Sequence, residues 1–298
     1  MESIHPTKPI LVIGATGNIG RQLVTQLVQT GSPVRAMTHK PDKACMPPEV
    51  EVVRGDLTRP DTLKECLANV DSVFMVWTAP QSAAEAALEL IANSARRLVF
   101  LSAPLKTPHP FFQQPNQSRT IAMHLERLIE ASGLEWTILR AGMFALNARH
   151  FWGPQIRAAN LVRWPYLNAA TAPIHEWDIA RVAVRVLSEQ QHHGGMDYVL
   201  TGPQSLTQYE QISTIGIVIG RPLCIEEISP NEAQRTCLAD LPPAIRSLLL
   251  DAWAAAVDLP AFVTSTVEHL TGTPARTFRN WVEGNTPDFF HRDLLRVP

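Results

Sequence analysis

Short apolar runs alternate with amphipathic stretches through the N-terminal half of the chain. The uncharged run Ile10–Ile13 precedes a glycine-rich turn, and a helical stretch follows at 21–29. Uncharged runs of this length are typical of strands that are buried on both faces of a parallel sheet. The same alternation continues, and it predicts strands at 34–38, 50–53, 72–76, 98–101 and 136–139 and helices at 61–69, 83–95 and 118–131.

Strands that alternate with helices in this way predict an α/β fold with a doubly wound parallel sheet of the Rossmann type. The alternation lapses after Gly142, where aromatic residues become frequent. The pattern therefore adds a smaller, mostly helical C-terminal subdomain to the sheet. Beyond Gly142 we predict helices at 178–187, 207–219 and 244–256, a strand at 198–200 that rejoins the sheet, and an irregular, proline-broken stretch at 222–243.

The turn between the first strand and the first helix has the sequence Gly-Ala-Thr-Gly-Asn-Ile-Gly at 14–20. Glycines in such a turn allow a tight bend, a close approach of the backbone to phosphate, and close packing of helix on strand. Free N–H groups and the helix dipole attract an anion there. A tight turn without a ligand is the alternative. We predict that a dinucleotide contacts Gly14, Thr16, Gly17, Asn18, Ile19 and Gly20.

The end of the second strand indicates which dinucleotide binds. An acidic residue there accepts hydrogen bonds from a free ribose 2′-hydroxyl and repels a 2′-phosphate. No Asp or Glu occurs at 34–41, where Arg35, His39 and Lys40 instead offer positive or potentially positive donors. The sequence therefore favours NADP(H) over NAD(H), although these residues could also be solvated charges at the sheet edge.

Two further strand ends are candidates for cofactor contacts. Asp56 and Leu57 follow the third strand, where we expect them to meet the adenine, although an aspartate there is also an ordinary turn former. Trp77 and Thr78 follow the fourth strand, where the backbone should pass the cofactor ribose, and Trp77 could simply pack.

These expectations divide the chain into two units. We predict that residues 1–150 form the NADP-binding Rossmann domain and that 174–201 return to it. Residues 151–173 and 202–298 would form a substrate-binding subdomain. At 298 residues the chain is long enough to bury a large core across both.

Composition narrows the partner to a small molecule. The net charge is −2 with both signs mixed along the chain, so there is no basic stripe for nucleic acid and no polybasic patch for a membrane. The four cysteines are widely separated and we expect them to be reduced, with no metal site. Since neither a signal peptide nor a bilayer-spanning segment is evident, we expect a cytoplasmic protein, either a monomer or a homodimer.

Several segments of the chain form a recognisable set. They are the glycine turn, Gly-Asp-Leu at 55–57, Leu-Ser at 101–102, Ser-Gly-Leu to Leu-Arg at 132–140, and Asp-Ile-Ala at 178–180. Together they resemble the NmrA-like family of atypical short-chain dehydrogenases/reductases. The resemblance implies an NADP-preferring Rossmann fold, and it allows several activities, because members include reductases, ether and quinone reductases, and proteins that sense the dinucleotide without turning it over. The C-terminal run 272–279 is also similar to the ends of family members that act as reductases in secondary metabolism.

The resemblance also implies a catalytic constellation, from which this chain departs. Typical short-chain reductases use a serine at a strand end and a tyrosine four residues before a lysine. Ser102 stands at the serine position, but Thr120 and His124 stand at the tyrosine and lysine positions. A threonine is a far poorer acid than a phenol, so His124 becomes the candidate proton donor or ribose clamp. Alternatively, His124 is a solvated or cofactor-flanking residue and Ser102 caps a backbone group.

Aromatic residues beyond Gly142 are candidates for an apolar pocket above the nicotinamide, although aromatic side chains are equally good core residues. Tyr166 could supply the phenol that the helix lacks. The expected pocket residues are Phe144, Phe151, Trp152 and Trp164.

The sequence thus favours an NADPH-dependent reductase that transfers hydride to a C=C, C=O or C=N bond of an apolar aromatic or polycyclic molecule, in secondary metabolism. An iminium substrate would need no strong protein acid, which fits the missing tyrosine. Two alternatives stay open. One is a non-catalytic regulator that senses NADP(H), and the other is a dinucleotide-binding isomerase or cyclase.

Overall fold

The computed structural model describes residues 8–189 and 192–290. Strands occur in the order β1 (Ile10–Ile13), β2 (Val34–Thr38), β3 (Glu51–Arg54), β4 (Ser72–Val76), β5 (Arg97–Ser102), β6 (Glu135–Ala141), β7 (Leu161–Trp164), β8 (Ala170–Thr171), β9 (Met196–Leu200), β10 (Leu206–Thr207) and β11 (Cys224–Glu227).

The helices between and after these strands are mostly short. They are α1 (Asn18–Gln29), α2 (Leu63–Leu67), α3 (Ala84–Ser94), α4 (Gln117–Glu130), α5 (Asn147–Phe151), α6 (Gly153–Ala158), α7 (Glu176–Ser188), α8 (Gln208–Val218), α9 (Pro230–Arg235), α10 (Pro243–Ala254), α11 (Thr266–Thr271) and α12 (Phe278–Gly284).

A seven-stranded sheet has the order β3-β2-β1-β4-β5-β6-β9. Every neighbouring pair in it is parallel. The order reverses direction at β1, which is the point where doubly wound sheets open a ligand crevice. The predicted α/β class with a doubly wound parallel sheet is confirmed, and the late strand β9 rejoins the sheet beside β6.

Helices cover both faces of the sheet because alternate strand residues point to opposite sides. On one face the core joins Ile10 and Val12 of β1 to buried residues of α1 and α7. On the other, Leu11 and Ile13 pack with residues of α2, α3 and α4. Strands β1 and β4 are thus buried on both sides, which explains why neither contains a charged residue.

A third cluster of buried apolar residues lies within 145–289. It shares no buried residue with the clusters on the two faces of the sheet. Helices α5, α6, α8, α10 and α12 contribute to it, and the small parallel pair of β7 and β11 passes through it. The proposed division into two units stays a prediction, and this separate cluster is the observation that supports it.

The sequence pattern missed two regular elements of this C-terminal part. Strand β11 and helix α9 lie inside the stretch at 222–243 that was expected to be irregular. Both are short, and β11 forms only by pairing with β7, more than sixty residues earlier. A pairing over that distance leaves no local periodicity to detect.

Candidate nucleotide cleft

A cleft of about 490 Å³ opens at the carboxyl ends of β1, β2, β4 and β5. It brings together most of the predicted cofactor residues. The lining consists of Ile13, Gly14, Thr16, Gly17, Asn18, Ile19, Gly20, Met37, Thr38, His39, Gly55, Leu57, Val76, Thr78, Leu101, Ser102 and Phe144.

The glycine turn between β1 and α1 is shaped by contacts that exclude side chains. Gly14 adopts φ +88, a left-handed conformation that favours glycine. A Cβ on Gly20 would collide with the carbonyl group of Gly14 and would lie 2.8 Å from the Cα of Ala15. The first turn of α1 can therefore lie directly against the end of β1 only because glycine occupies both positions.

The N-terminus of α1 is open to an anion. Gly17 occupies the cap position without a side-chain acceptor, and the first turn contains no acidic residue. Its leading N–H groups thus need an external acceptor, and the helix dipole adds partial positive charge. A diphosphate would satisfy both, so these residues fit a dinucleotide.

The end of β2 forms the side of the cleft where adenosine is expected. Thr38 and His39 line it, whereas Lys40 is exposed beyond the rim. The Asp56 carboxylate accepts hydrogen bonds from the hydroxyl and the backbone N–H of Thr58, which hold its pKa below the usual range. His39 Nδ1 lies 3.6 Å from Asp56 Oδ2. Asp56 therefore acts as a turn former at the rim, while its neighbour Leu57 faces the cleft.

Arg35 is not brought to the cleft, which removes it from our candidates for a 2′-phosphate. Its Nε donates to Glu51 Oε2 over 2.8 Å, and its Nη1 donates to the carbonyl groups of Cys66 and Ala68. These bonds tie β2 to β3 and to the end of α2. The residue lies early in the strand, so its side chain belongs to the sheet edge.

The opposite side of the cleft is lined by Val76, Thr78, Leu101, Ser102 and Phe144. Trp77 is turned away into the core on the face of α2, α3 and α4, and its buried Nε1 has no partner among the described residues. The backbone of Trp77, but not its ring, remains a candidate for contact with the cofactor ribose.

Ser102 begins a buried polar chain that our sequence reasoning missed. Its Oγ donates to Glu126 Oε1 over 2.6 Å, and Arg140 Nη1 donates to the same oxygen over 2.6 Å. Arg140 Nε in turn donates to Asp197 Oδ2 over 2.9 Å. Glu126 and Arg140 are 3% and 1% exposed, so a full ion pair is buried beside the cleft.

The other candidate proton donors lie elsewhere. Thr120 is exposed, and its hydroxyl donates to the Asn116 carbonyl within helix α4. His124 is half-buried on α4 and is not among the cleft residues. Tyr166 packs against the C-terminal cluster with φ +53. The structure thus leaves Ser102 as the predicted catalytic residue that faces the cleft.

Of the four predicted pocket aromatics, Phe144 lines the cleft. The ring of Phe151 lies 5.5 Å from that of Trp164, which lies 5.9 Å from that of Trp152. Trp164 Nε1 is also satisfied internally by Gln208 Oε1 at 2.6 Å. Phe151, Trp152 and Trp164 therefore form the core of the C-terminal cluster, and composition could not distinguish that role from pocket lining.

A second cavity has a volume of about 240 Å³, and two of its lining residues are sequence neighbours of cleft residues. Ser102 lines the cleft and Ala103 lines the cavity, while Phe144 lines the cleft and Met143 the cavity. The cavity is mostly apolar. Its lining is Ala103, Pro104, Leu105, Phe111, Phe112, Gln114, Asn116, Arg119, Met143, Leu248, Leu249 and Ala252.

Comparison with known protein families settles the kind of dinucleotide domain. A family model described as NAD(P)H-binding matches residues 14–190, which is more than half of the chain. The chain belongs to this family. The expected NmrA-like, atypical short-chain dehydrogenase/reductase relationship is confirmed, and so is an NAD(P)H-binding domain.

Two relatives that match nearly the whole length of this NAD(P)H-binding protein are reductases. A (4-alkanoyl-5-oxo-2,5-dihydrofuran-3-yl)methyl phosphate reductase from Streptomyces griseus is 34% identical, over 91% of this chain and 96% of the relative. An NAD(P)H azoreductase from Xenophilus azovorans is 29% identical, over 94% and 99%. The chain is accordingly an NAD(P)H-dependent oxidoreductase, a reductase in general terms.

A solved structure of similar fold supports the architecture. The NADPH-dependent quinone oxidoreductase from Escherichia coli, complexed with NADPH, has a TM-score of 0.78 at 20% identity, covering 93% of this chain and 99% of that one. This likeness concerns the fold. The individual cofactor contacts of the NAD(P)H-binding protein stay predictions.

Two negative observations apply to the described residues alone. Within 8–189 and 192–290, no group of three or more His, Cys, Asp or Glu side chains is arranged to hold a metal ion. Among the helices of the same ranges, none combines the length and the apolar character that crossing a bilayer requires.

Proposed function

We propose that the protein is an NADPH-dependent reductase that transfers hydride to a polarised double bond of an apolar small molecule held in the second cavity. The observation that supports this most directly is that the cleft and the second cavity border on the same two stretches of chain. At 102–103 and again at 143–144, consecutive residues face the cleft on one side and the cavity on the other. The same two stretches of chain would therefore contact both a molecule in the cavity and a dinucleotide in the cleft.

The bound nicotinamide would supply the hydride, and the protein would supply placement. The glycine turn anchors the diphosphate, and the cavity holds the acceptor against Phe111 and Phe112. Apolar walls also exclude water from the site. An aromatic or polycyclic body with a C=C, C=O or C=N bond suits such a lining.

Arg119 adds a preference to this proposal. Among the described residues that line the cavity, it alone is charged. Its Nη1 and Nη2 donate to the Phe112 carbonyl and to Gln113 Oε1, and no carboxylate pairs with it among the described residues. A substrate with an anionic substituent would supply that carboxylate or a phosphate. The substrate named for the relative from Streptomyces griseus carries a methyl phosphate group. Because of this cation we place iminium substrates behind neutral and anionic ones.

NADPH is preferred over NADH in this proposal because no carboxylate from the end of β2 lines the cleft. His39 lies at that rim, and Lys40 is close enough in sequence to reach a 2′-phosphate. These residues replace the acidic one that would recognise a free hydroxyl.

The test is to follow consumption of NADPH with quinones, azo compounds, enones and iminium ions, each scaffold offered with and without a carboxylate or phosphate. We expect turnover of at least one apolar scaffold. Tight NADPH binding with no consumption across the panel would favour the sensing regulator instead.

A cavity-filling variant locates the substrate. Ala252→Trp on α10 should abolish turnover while leaving the NADPH dissociation constant unchanged, because Ala252 is buried in the cavity wall. Ala254→Trp is the matched control, since it lies on the exposed side of the same helix. Full activity in Ala252→Trp would place the substrate elsewhere.

A further inference from the structure

The buried hydrogen-bond chain at Ser102 determines whether this residue can donate or accept a hydrogen bond in the cleft. Ser102 ends β5, is half-buried, and lines the cleft opposite the adenosine side. Its partner in the neighbouring strand register is Arg140 of β6. Glu126 of α4 lies over both and accepts a hydrogen bond from each, at 2.6 Å.

The ion pair fixes the direction of the Ser102 hydrogen bond. A carboxylate paired with a guanidinium has no proton to give and acts only as an acceptor. A serine hydroxyl has one proton, and here that proton is donated to Glu126. The remaining lone pairs of Ser102 Oγ are therefore what it can offer to a ligand.

Asp197 holds the far end of this chain. It accepts from Arg140 Nε, and its side chain is 45% exposed, so the network runs from the cleft to the protein surface. Burying Glu126 and Arg140 is tolerable only while both remain paired. Breaking the pair would release the Ser102 proton as well.

We propose that Ser102 is a dedicated hydrogen-bond acceptor for an O–H or N–H group on the nicotinamide half of the dinucleotide, and that Glu126 is the residue that positions it. Ser102 thus orients the cofactor and does not donate a proton to substrate. The proposal rests on the proposed use of NADPH and is independent of which substrate is reduced.

The order of the strands places the nicotinamide half at Ser102. The glycine turn that would hold the diphosphate follows β1, and the adenosine side lies at β2. The other half of a dinucleotide must then extend across β4 toward β5, where Ser102 lies. The donor on that half is a ribose hydroxyl or the carboxamide N–H.

Binding measurements test the acceptor role without any substrate. We expect Ser102→Ala to weaken NADPH binding about tenfold, since one hydrogen bond is lost, while binding of 2′,5′-ADP, which lacks the nicotinamide half, stays within about twofold. Ser102→Thr should restore NADPH affinity. Titration with 2′-phospho-ADP-ribose separates the two donors, because a loss there identifies the ribose and no loss identifies the carboxamide.

Two results would overturn the acceptor role. One is an unchanged NADPH affinity in Ser102→Ala, and the other is an equal loss for NADPH and 2′,5′-ADP. Since these assays involve no turnover, they can fail while the reductase activity stands, and the activity can fail while they succeed.

A double-mutant cycle tests the positioning role of Glu126. In Glu126→Gln the amide can donate to Ser102, so the hydroxyl proton is free to turn toward the cleft and NADPH binding should weaken about as much as in Ser102→Ala. The double variant should bind NADPH no more weakly than Ser102→Ala alone, because both act through one bond. Fully additive losses would instead mean general disruption and would overturn this role.

Glu130→Gln provides the matched control, since it is the same substitution on an exposed residue one turn later in α4. It should leave NADPH affinity unchanged. If Glu126→Gln does not fold, Asp197→Asn loosens Arg140 from the exposed end and should weaken NADPH binding in the same direction by a smaller factor. No change in that variant, whose fold is intact, would count against the positioning chain.

Discussion

At one end of the nucleotide cleft the wall is backbone, and at the other it is a chain of buried charges. The glycine turn offers backbone N–H groups, and α1 begins there without a side-chain cap. The Ser102 end depends on Glu126, Arg140 and Asp197 in sequence-distant elements. We therefore expect anchoring of the diphosphate to depend on space, and orientation of the nicotinamide half to depend on paired charges. The two ends should respond to different kinds of substitution.

The largest effect should come from removing one charge at the Ser102 end. Arg140→Met leaves Glu126 buried without its partner, which we expect to lower the free energy of unfolding by about 3–5 kcal/mol in urea denaturation. Arg96→Met, in which a half-exposed arginine loses its ion pairs with Asp71 and Glu135, should cost less than about 1 kcal/mol.

An apolar replacement of the pair sharpens that result. The combination of Glu126→Leu with Arg140→Met should recover most of the lost stability, because no unpaired charge remains, while NADPH affinity should stay low. Recovery of both properties would contradict the orienting role of the pair.

The next effect should come from the backbone end. In Gly20→Ala the added Cβ meets the Gly14 carbonyl and must push α1 away from β1. We expect loss of detectable NADPH binding in calorimetry and a stability cost of roughly 1–3 kcal/mol from overpacking. Gly284→Ala, where no atom of the described residues lies within 4 Å of an added Cβ, is the control. Normal binding in Gly20→Ala would remove the glycine turn from the site.

A smaller effect is expected in the second cavity. Arg119→Ala should raise KM about tenfold for an anionic substrate and leave KM for its uncharged analogue unchanged, because one charge-assisted hydrogen bond is lost. Arg127→Ala, an exposed residue on the same helix, should change neither value. Equal changes in KM for both substrates would mean that Arg119 contributes to the shape of the cavity and does not discriminate between charged and uncharged substrates.

The smallest effect concerns the choice of dinucleotide at the adenosine side. Lys40→Ala and His39→Ala should each lower the preference for NADPH over NADH by roughly two- to fivefold, the range expected for exposed charges. Arg35→Ala should lower stability without changing that preference, since Arg35 bonds to Glu51 and to backbone carbonyls. A changed preference in Arg35→Ala alone would reverse our placement.

The sheet was predictable because its signals are local. Strands β2 and β4 have the bounds that the sequence predicts, 34–38 and 72–76, and the glycine turn indicates a strand-to-helix junction. By contrast, Trp152 and Trp164 could be core or pocket on sequence grounds, since both settings select large apolar side chains. Only the packing of the C-terminal cluster decides between them.

Glu126 shows why the site itself was harder to predict. Its neighbours Leu125 and Ile129 belong to the buried face of α4, but a charged residue beside such a face is usually solvated. The partner, Arg140, lies in a strand that is otherwise buried and ends the Leu-Arg segment. Each charge alone suggests a solvated position, and only their contact explains both burials.

The border between the cleft and the second cavity has a consequence for which substitutions would alter the choice of substrate. Residues 102–103 and 143–144 border both compartments, whereas Leu248, Leu249 and Ala252 on α10 line the cavity alone. Under the proposed function, substitutions on α10 would reshape the cavity for a different acceptor and leave the cleft residues unaltered. A single helix would then be enough to change the specificity of this scaffold.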